Sequence, residues 1–267
     1  MKLTLDLSHP KLPKLFWLVL LVVVLWTIIC QMPASWLGGV LASQTGCRVM
    51  LQQATGNIWQ GSAALAFSEP NGTEGGCREP LSVTERFQWT SSCSLSSLSC
   101  STELQFVALD KPQLISWGLK KTQIGANEVK LPANVLEGLG NPWSTLRPRG
   151  QLGARWTDLV LGGILGSGSD KSPQSGVIRI IISNLSSPIS PIKPLGAYEI
   201  SANIGDEGLN WNLSTTSGPL LLRGQGDLKS GLHFDGEASA SPEAQDSLIG
   251  LLALLGKKEG GVYRLKF

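Results

Sequence analysis

The chain has 267 residues, 22 basic and 20 acidic side chains, a formal net charge of +2, and only 16% charged against 42% apolar residues. So even a balance lacks the dense basic patch that nucleic-acid binding needs, and nucleic-acid partners are excluded. The length allows one large or two small domains. Low charge with 31 glycines favours a β-rich exported protein over a helical cytoplasmic enzyme.

Leu15 to Met32 carries no charge. As a helix it would extend roughly 27 Å, close to the thickness of a bilayer core. Lys2, Lys11 and Lys14 precede it with Asp6 as the only acid, and the next charge is Arg48. That asymmetry predicts a cytoplasmic N-terminus and export of the rest. Trp17 and Trp36 would flank the span near its two interfaces. A cleaved signal peptide, ending near Ala42, is the competing reading. Its apolar region would be shorter than this one, about 7–15 residues. The division is therefore a cytoplasmic stretch at 1–14, an anchor at 15–35 and an exported β-rich domain at 36–267.

Cys30 falls in the span; Cys47, Cys77, Cys93 and Cys100 lie in the exported part, where disulfides persist. Four cysteines allow three pairings; Cys93 and Cys100, closest in sequence, are the favoured pair. No C-x-x-C occurs and the only histidines are His9 and His233, which argues against zinc.

The segment after the span, "PASWLGGVLAS", reads as a helical continuation or a short second helix. Beyond Arg48 the hydrophobic period becomes two, as in half-buried strands. Strands are predicted at 48–53, 58–67, 81–89, 102–109, 123–131, 150–161, 176–184 and 262–266. The Ser-rich "SSCSLSSLSCS" reads as a loop rather than a strand. Loops are predicted at 69–80, 162–175 and 186–194. Pro132 opens a short helix ending at Gly138. Ser241 and Pro242 open another, with apolar residues from Leu248 to Leu255 and a stop at Gly256.

Two hairpins can be registered by parity, because residues opposite each other must face the same side. In the first, Ile204 faces Leu209 and Ala202 faces Trp211 across the loop "GDEG". In the second, a three-residue loop at 229–231 sets Phe234 opposite Gly226 and Arg223 opposite Glu237. Gly224, Gly226, Gly236 and Ala238 then share a face of little side-chain volume. Such a face either accepts a covering layer or leaves a shallow apolar groove for a lipid. The expected fold is mainly β: a single transmembrane helix, then a curved antiparallel sheet with two or three short helices.

No G-x-S-x-G, phosphate-binding loop or dinucleotide fingerprint is present. His233 lies on the polar face of a strand with no partner in a motif, and Asp206 and Glu207 are turn residues. The expectation is no enzyme and no cofactor.

Several segments together resemble protein N of the bacterial type II secretion system. "GNIWQG" (56–61) is similar to that family's G-x-x-W-x-G. "LGNPWSTLRPRGQL" (139–152) is similar to its L-G-x-P-W-x-T-L-R-P-x-G-x-L. "SPISPIKPLGAYEI" matches S-P-x-x-P-L-G-x-Y, and residues 218–256 resemble its C-terminal block. The four exported cysteines and "TSSCSLSSLSC" depart from the family pattern. The resemblance implies a single-pass inner-membrane protein with a periplasmic domain. It would be an accessory subunit of the machine that exports folded proteins across the outer membrane, with other components of that machine as partners. The natural role is scaffolding or coupling. The alternative is an envelope lipid-handling protein that presents the apolar sheet groove.

The segment 140–152 itself has two readings. Its prolines and glycines describe a rigid corner that Trp143 fills. Trp143, Arg147 and Arg149 are also residue types enriched at interface hot spots. They are the candidate partner contacts, with Arg149 the best surface candidate. Trp59 of "GNIWQG" reads as core.

Overall fold

In a computed structural model of the chain, the described residues are 14–266 except 69–76, 78, 80, 81, 95, 120, 140–142, 163–173, 207 and 228–232. Two helices open it: α1 (Lys14–Gln31) and, after a break at Met32 and Pro33, α2 (Ala34–Gln44). Proline lacks an N–H and cannot continue α1, but its fixed φ suits a helix start. Among the described residues no helix is long and apolar enough to cross a membrane. The side chains of α1 are described from Phe16 onward. That stretch covers roughly 24 Å, against a bilayer core of about 30 Å. Its large apolar residues from Phe16 to Ile29 are 42–61% exposed. Lys11 lies outside the described residues.

Two antiparallel sheets follow. The first contains β1 (Val49–Gly56), β2 (Gln60–Phe67), β3 (Ser82–Ser94), β4 (Ser99–Phe106), β5 (Gln113–Gly118) and β6 (Lys121–Ile124). The chain then passes through β7 (Asn127–Pro132), a 3-10 helix (Ala133–Leu139), a single helical turn α3 (Trp143–Leu146), β8 (Arg149–Trp156) and β9 (Leu159–Gly162). The remaining elements are β10 (Gly176–Ser186), β11 (Gly196–Gly205), β12 (Gly208–Ser217), β13 (Leu220–Asp227), β14 (His233–Ala240), α4 (Gln245–Leu255), β15 (Lys257–Glu259) and β16 (Val262–Lys266). The first sheet runs β1-β2-β3-β4-β5-β6-β9, and the second β15-β16-β14-β13-β12-β11-β10-β8-β7.

A bent ribbon runs from one sheet into the other. Ile124 pairs with Leu159 on one side of the bend and Asn127 with Trp156 on the other, in unbroken register. Two residues on each strand, Gly125-Ala126 and Thr157-Asp158, turn the ribbon from one sheet into the other. Their backbone groups are caught by side chains and by neighbouring backbone carbonyls, since a break in the ladder must be satisfied elsewhere. The Ala126 N–H donates to Asp158 Oδ1 at 2.8 Å, and the Gly125 carbonyl accepts from Trp156 Nε1 at 3.0 Å and Gln113 Nε2 at 2.8 Å. Asn127, 6% exposed, donates from Nδ2 to the Lys111 carbonyl at 2.8 Å.

Both parity-derived hairpins have the expected registers: Ile204 opposite Leu209, Ala202 opposite Trp211, Gly226 opposite Phe234 and Arg223 opposite Glu237. The loop at 229–231 lies outside the described residues. Several expectations need correction. The runs 123–131 and 150–161 are not single strands; each is cut by the bend. "SSCSLSSLSCS" is mostly strand, with Cys93 paired to Cys100 and Ser94 to Ser99 in the β3–β4 ladder. β5, centred on Ile115 and Ser116, has no counterpart among the expected strands. The helix expected to open at Ser241-Pro242 begins as a 3-10 turn, Pro242–Ala244, before α4.

The main core lies on one face of the second sheet. Tyr198, Leu220, Phe234 and Ala238 of the strands meet Leu248, Leu251 and Leu252 of α4, with Leu146, Leu185 and Leu195 closing one end. A smaller cluster, Ala34, Ala63 and Trp89, joins α2 to the first sheet. Cys47 is bonded to Cys77 and Cys93 to Cys100. Cys47 precedes β1, and the second bridge joins β3 to β4, so both bridges serve the first sheet.

Candidate functional site

The segment 143–150 is a corner built from backbone constraints. One turn of helix, α3, ends where the Arg147 N–H donates to the Trp143 carbonyl at 3.0 Å. Arg147 then takes φ 46°, a left-handed conformation that stops the helix. Pro148 is fully buried, and Leu146 is 7% exposed. Gly150 has φ +133°, and a Cβ there would lie 2.7 Å from the Ser183 carbonyl oxygen and 2.8 Å from that of Asn184. Only glycine suits this approach, at the register shift where β8 passes a bulge in β10. The Ser187 hydroxyl donates to the Leu146 carbonyl and ties the corner to the loop after β10.

Trp143 is half-buried and packs against the main core. Arg147 and Arg149 are exposed. The corner thus brings two guanidinium groups to the surface on fixed backbone, with the indole turned to packing beneath them. Trp59, half-buried, donates from Nε1 to the Ile29 carbonyl at 3.0 Å and so ties the first sheet to the end of α1. Trp17 and Trp36 are 61% and 52% exposed, and Lys14 opens α1.

The small-residue face of β13 and β14 is filled. The Trp211 and Phe234 rings stack with centroids 4.7 Å apart and planes 9° from parallel. A Cβ on Gly226 would lie 2.4 Å from the Trp211 ring, and one on Gly224 2.6 Å from Phe234. The glycines are there because two rings lie flat on them. Beyond the rings, Ala238 is wholly buried in the core that α4 completes. Of the two alternatives for this face, a covering layer or an apolar groove, the described residues show the covered one.

Two of the concavities among the described residues exceed 500 Å³. A cleft of about 580 Å³ opens in the angle between the sheets, lined by Glu85, Asp110, Glu128, Lys130 and Asn134 among others. Glu128 is held below the usual carboxylate range by its hydrogen bond from Arg155, at 2.7 Å from Nη2. Asn134 Oδ1 is buried without a hydrogen-bond partner among the described residues. A second pocket, of about 560 Å³, is apolar and lies between the last turns of α1 and the tip of the first sheet.

Among the described residues no group of three or more His, Cys, Asp or Glu side chains could hold a metal ion. His233 is an exposed strand residue opposite Asp227. The buried amides Gln113 and Asn127 at the bend carried no signal in the sequence, since nothing in their spacing distinguishes them from surface residues.

No curated protein and no solved structure matches the chain. One protein-family model does, described as type II secretion system (T2SS), protein N, and it matches residues 48–266. The match begins just before β1 and ends at the last residue of β16, so it takes in both sheets, the ribbon between them and the arginine corner. The chain belongs to the family of type II secretion system protein N.

Proposed function

We propose that the protein is a non-enzymatic, single-pass inner-membrane accessory subunit of the type II secretion system, and that its β-rich domain binds other components in the periplasm. Family membership supports an accessory role in type II secretion and an envelope location. The anchor reading draws on the charge-free run at 15–32, the lysines before it and the exposed apolar surface of α1. It keeps residues 1–14 in the cytoplasm and 36–267 in the periplasm. The partner contact is assigned to Arg147 and Arg149. The observation that carries this is the corner itself, which mounts both exposed arginines on backbone constrained by the buried Pro148, Gly150 and the left-handed Arg147. A rigid mount reduces the ordering cost of binding.

In-cell photo-crosslinking from position 149, with products identified by mass spectrometry, tests the assignment. Crosslinks to another secretion component are expected. Lipid adducts or no adducts at 149, with the protein folded and secretion intact, would dismiss the corner as an interface.

A further inference from the structure

The apolar pocket beside α1 points to a ligand by what it lacks. Its described walls carry no charged side chain. The polar groups on them are already engaged with one another. Ser91 and Thr102 share a hydrogen bond of 2.8 Å, Ser94 and Ser96 one of 2.8 Å, and Ser97 and Ser99 one of 2.7 Å. Trp117 Nε1 donates to Thr102 Oγ1 at 3.0 Å, and Trp59 Nε1 donates to the Ile29 carbonyl at 3.0 Å. A polar ligand would find few donors or acceptors to offset its desolvation, whereas a hydrocarbon needs none. The volume, about 560 Å³, falls within the range of sites that enclose small ligands.

The position of the pocket names the source. One wall is α1 itself, through Trp26, Ile29 and Cys30; the facing wall includes Leu98 at the β3–β4 tip and Leu119 after β5. Leu98 is 62% and Leu119 42% exposed. Trp26 lies five residues before the helix end at Gln31, about 7.5 Å along the axis. If α1 spans the membrane, the pocket, which reaches Trp26, extends below the end of the helix into the periplasmic leaflet. The pocket then continues the lipid-facing surface of α1. The β3–β4 tip is held at that depth by the Cys93–Cys100 bridge and by the Trp59 bond to α1.

We propose that this pocket holds one acyl chain of a bilayer phospholipid, entering along α1 from the periplasmic leaflet. The chain locks the first sheet against the membrane surface, so the sheet is oriented and not free to swing about Pro33. This rests on the anchor reading. It differs from a groove on the β13–β14 face, which is filled.

The test uses the full chain in native membranes, with p-benzoylphenylalanine introduced at position 119 or, as a reference, at position 22 on α1. Irradiated products are identified by mass spectrometry, and alkaline carbonate extraction reports membrane integration. Lipid adducts at both positions are expected. Ser94→Phe, which places a ring in the pocket wall, is expected to lower the adduct at 119 about ten-fold, because a close-packed cavity leaves no room for a chain, and to leave that at 22 unchanged. Lipid adducts at 22 alone overturn the pocket and leave the anchor standing. Protein adducts at 119, whether to a partner or to a second copy of this chain, also overturn it. Release of the protein by carbonate, with no lipid adduct at 22, overturns the anchor and the pocket together.

Discussion

The nine-stranded sheet buries Tyr198, Leu220, Phe234 and Ala238 beneath Leu248, Leu251 and Leu252 of α4, while among the described residues the core cluster at the seven-stranded sheet is made of Ala34, Ala63 and Trp89. Both disulfides fall on the side with the small core. The contrast teaches how one chain stabilises two sheets by different means. Where a helix can cover a face, burial of apolar area carries the load. Where the strands are Ser- and Thr-rich and little covers them, covalent links limit the freedom of the unfolded chain instead.

The comparison can be broken most directly at Trp89. It is 5% exposed, lies tilted at 39° against Phe87 with ring centroids 5.7 Å apart, and donates to the Ile58 carbonyl at 3.2 Å. Trp89→Ala should cost about 3–5 kcal/mol. Hydrogen exchange should show protection lost in β1–β4 and kept in β11–β14. Equal loss in both sheets would mean that they unfold as one unit and that the contrast has no energetic content.

Replacing the 47–77 bridge, with Cys47→Ser and Cys77→Ser, should cost about 3–4 kcal/mol on loop-entropy grounds, and losing the shorter 93–100 bridge about 2 kcal/mol. Both losses should again fall on the first sheet, measured by denaturant unfolding followed with a probe in each sheet. Leu248→Ala should cost about 2–5 kcal/mol and reverse the pattern, loosening the second sheet first.

A smaller effect sharpens the account of the main core. The Tyr198 hydroxyl donates to the Leu220 carbonyl at 3.0 Å, and burial holds the phenol protonated far above its usual range. Tyr198→Phe should cost about 1–2 kcal/mol through the unpaired carbonyl, with the ring still packed.

The smallest effect concerns pH. Glu128 and Glu237, both on the second sheet, are held below their ordinary value of 4.5, first by hydrogen bonds from Arg155 and Arg223. A depressed folded-state value means that the unfolded chain binds the proton first. The contribution is therefore complete above the ordinary carboxylate range and is lost as pH falls through the depressed values. Both pairs are exposed, so the effect on stability is slight. Arg223→Ala should raise the Glu237 titration, followed by NMR, toward the ordinary range and leave Glu128 unmoved, with Arg264 still beside Glu237. A shift of both would contradict the assignment of causes.

Legibility in the sequence followed the range of the interaction. The 198–217 and 220–240 hairpins were readable because side-chain parity and a short loop fix register with no reference to the rest of the chain. The corner at 143–150 was half readable: Pro148 and Gly150 announced a constrained turn. That Trp143 turns to the core while Arg147 and Arg149 stay outside depends on β10, β11 and α4 packing against it. The Ser-rich hairpin was missed because its strands bury almost nothing, so their pattern carries no hydrophobic signal.

By itself the sequence determined the β-rich class, the apolar N-terminal run, the local hairpins and the family likeness, because each rests on neighbours in the chain. Only the tertiary structure decided how the strands divide between two sheets. The uninterrupted runs at 123–131 and 150–161 give no sign of the bend, whose backbone groups are satisfied by Asp158, Trp156 and the distant Gln113. The same long-range packing laid α4 over the β13–β14 face and left an apolar space beside α1. Periodicity states which face of a strand is apolar, and the elements that arrive from elsewhere determine what covers it.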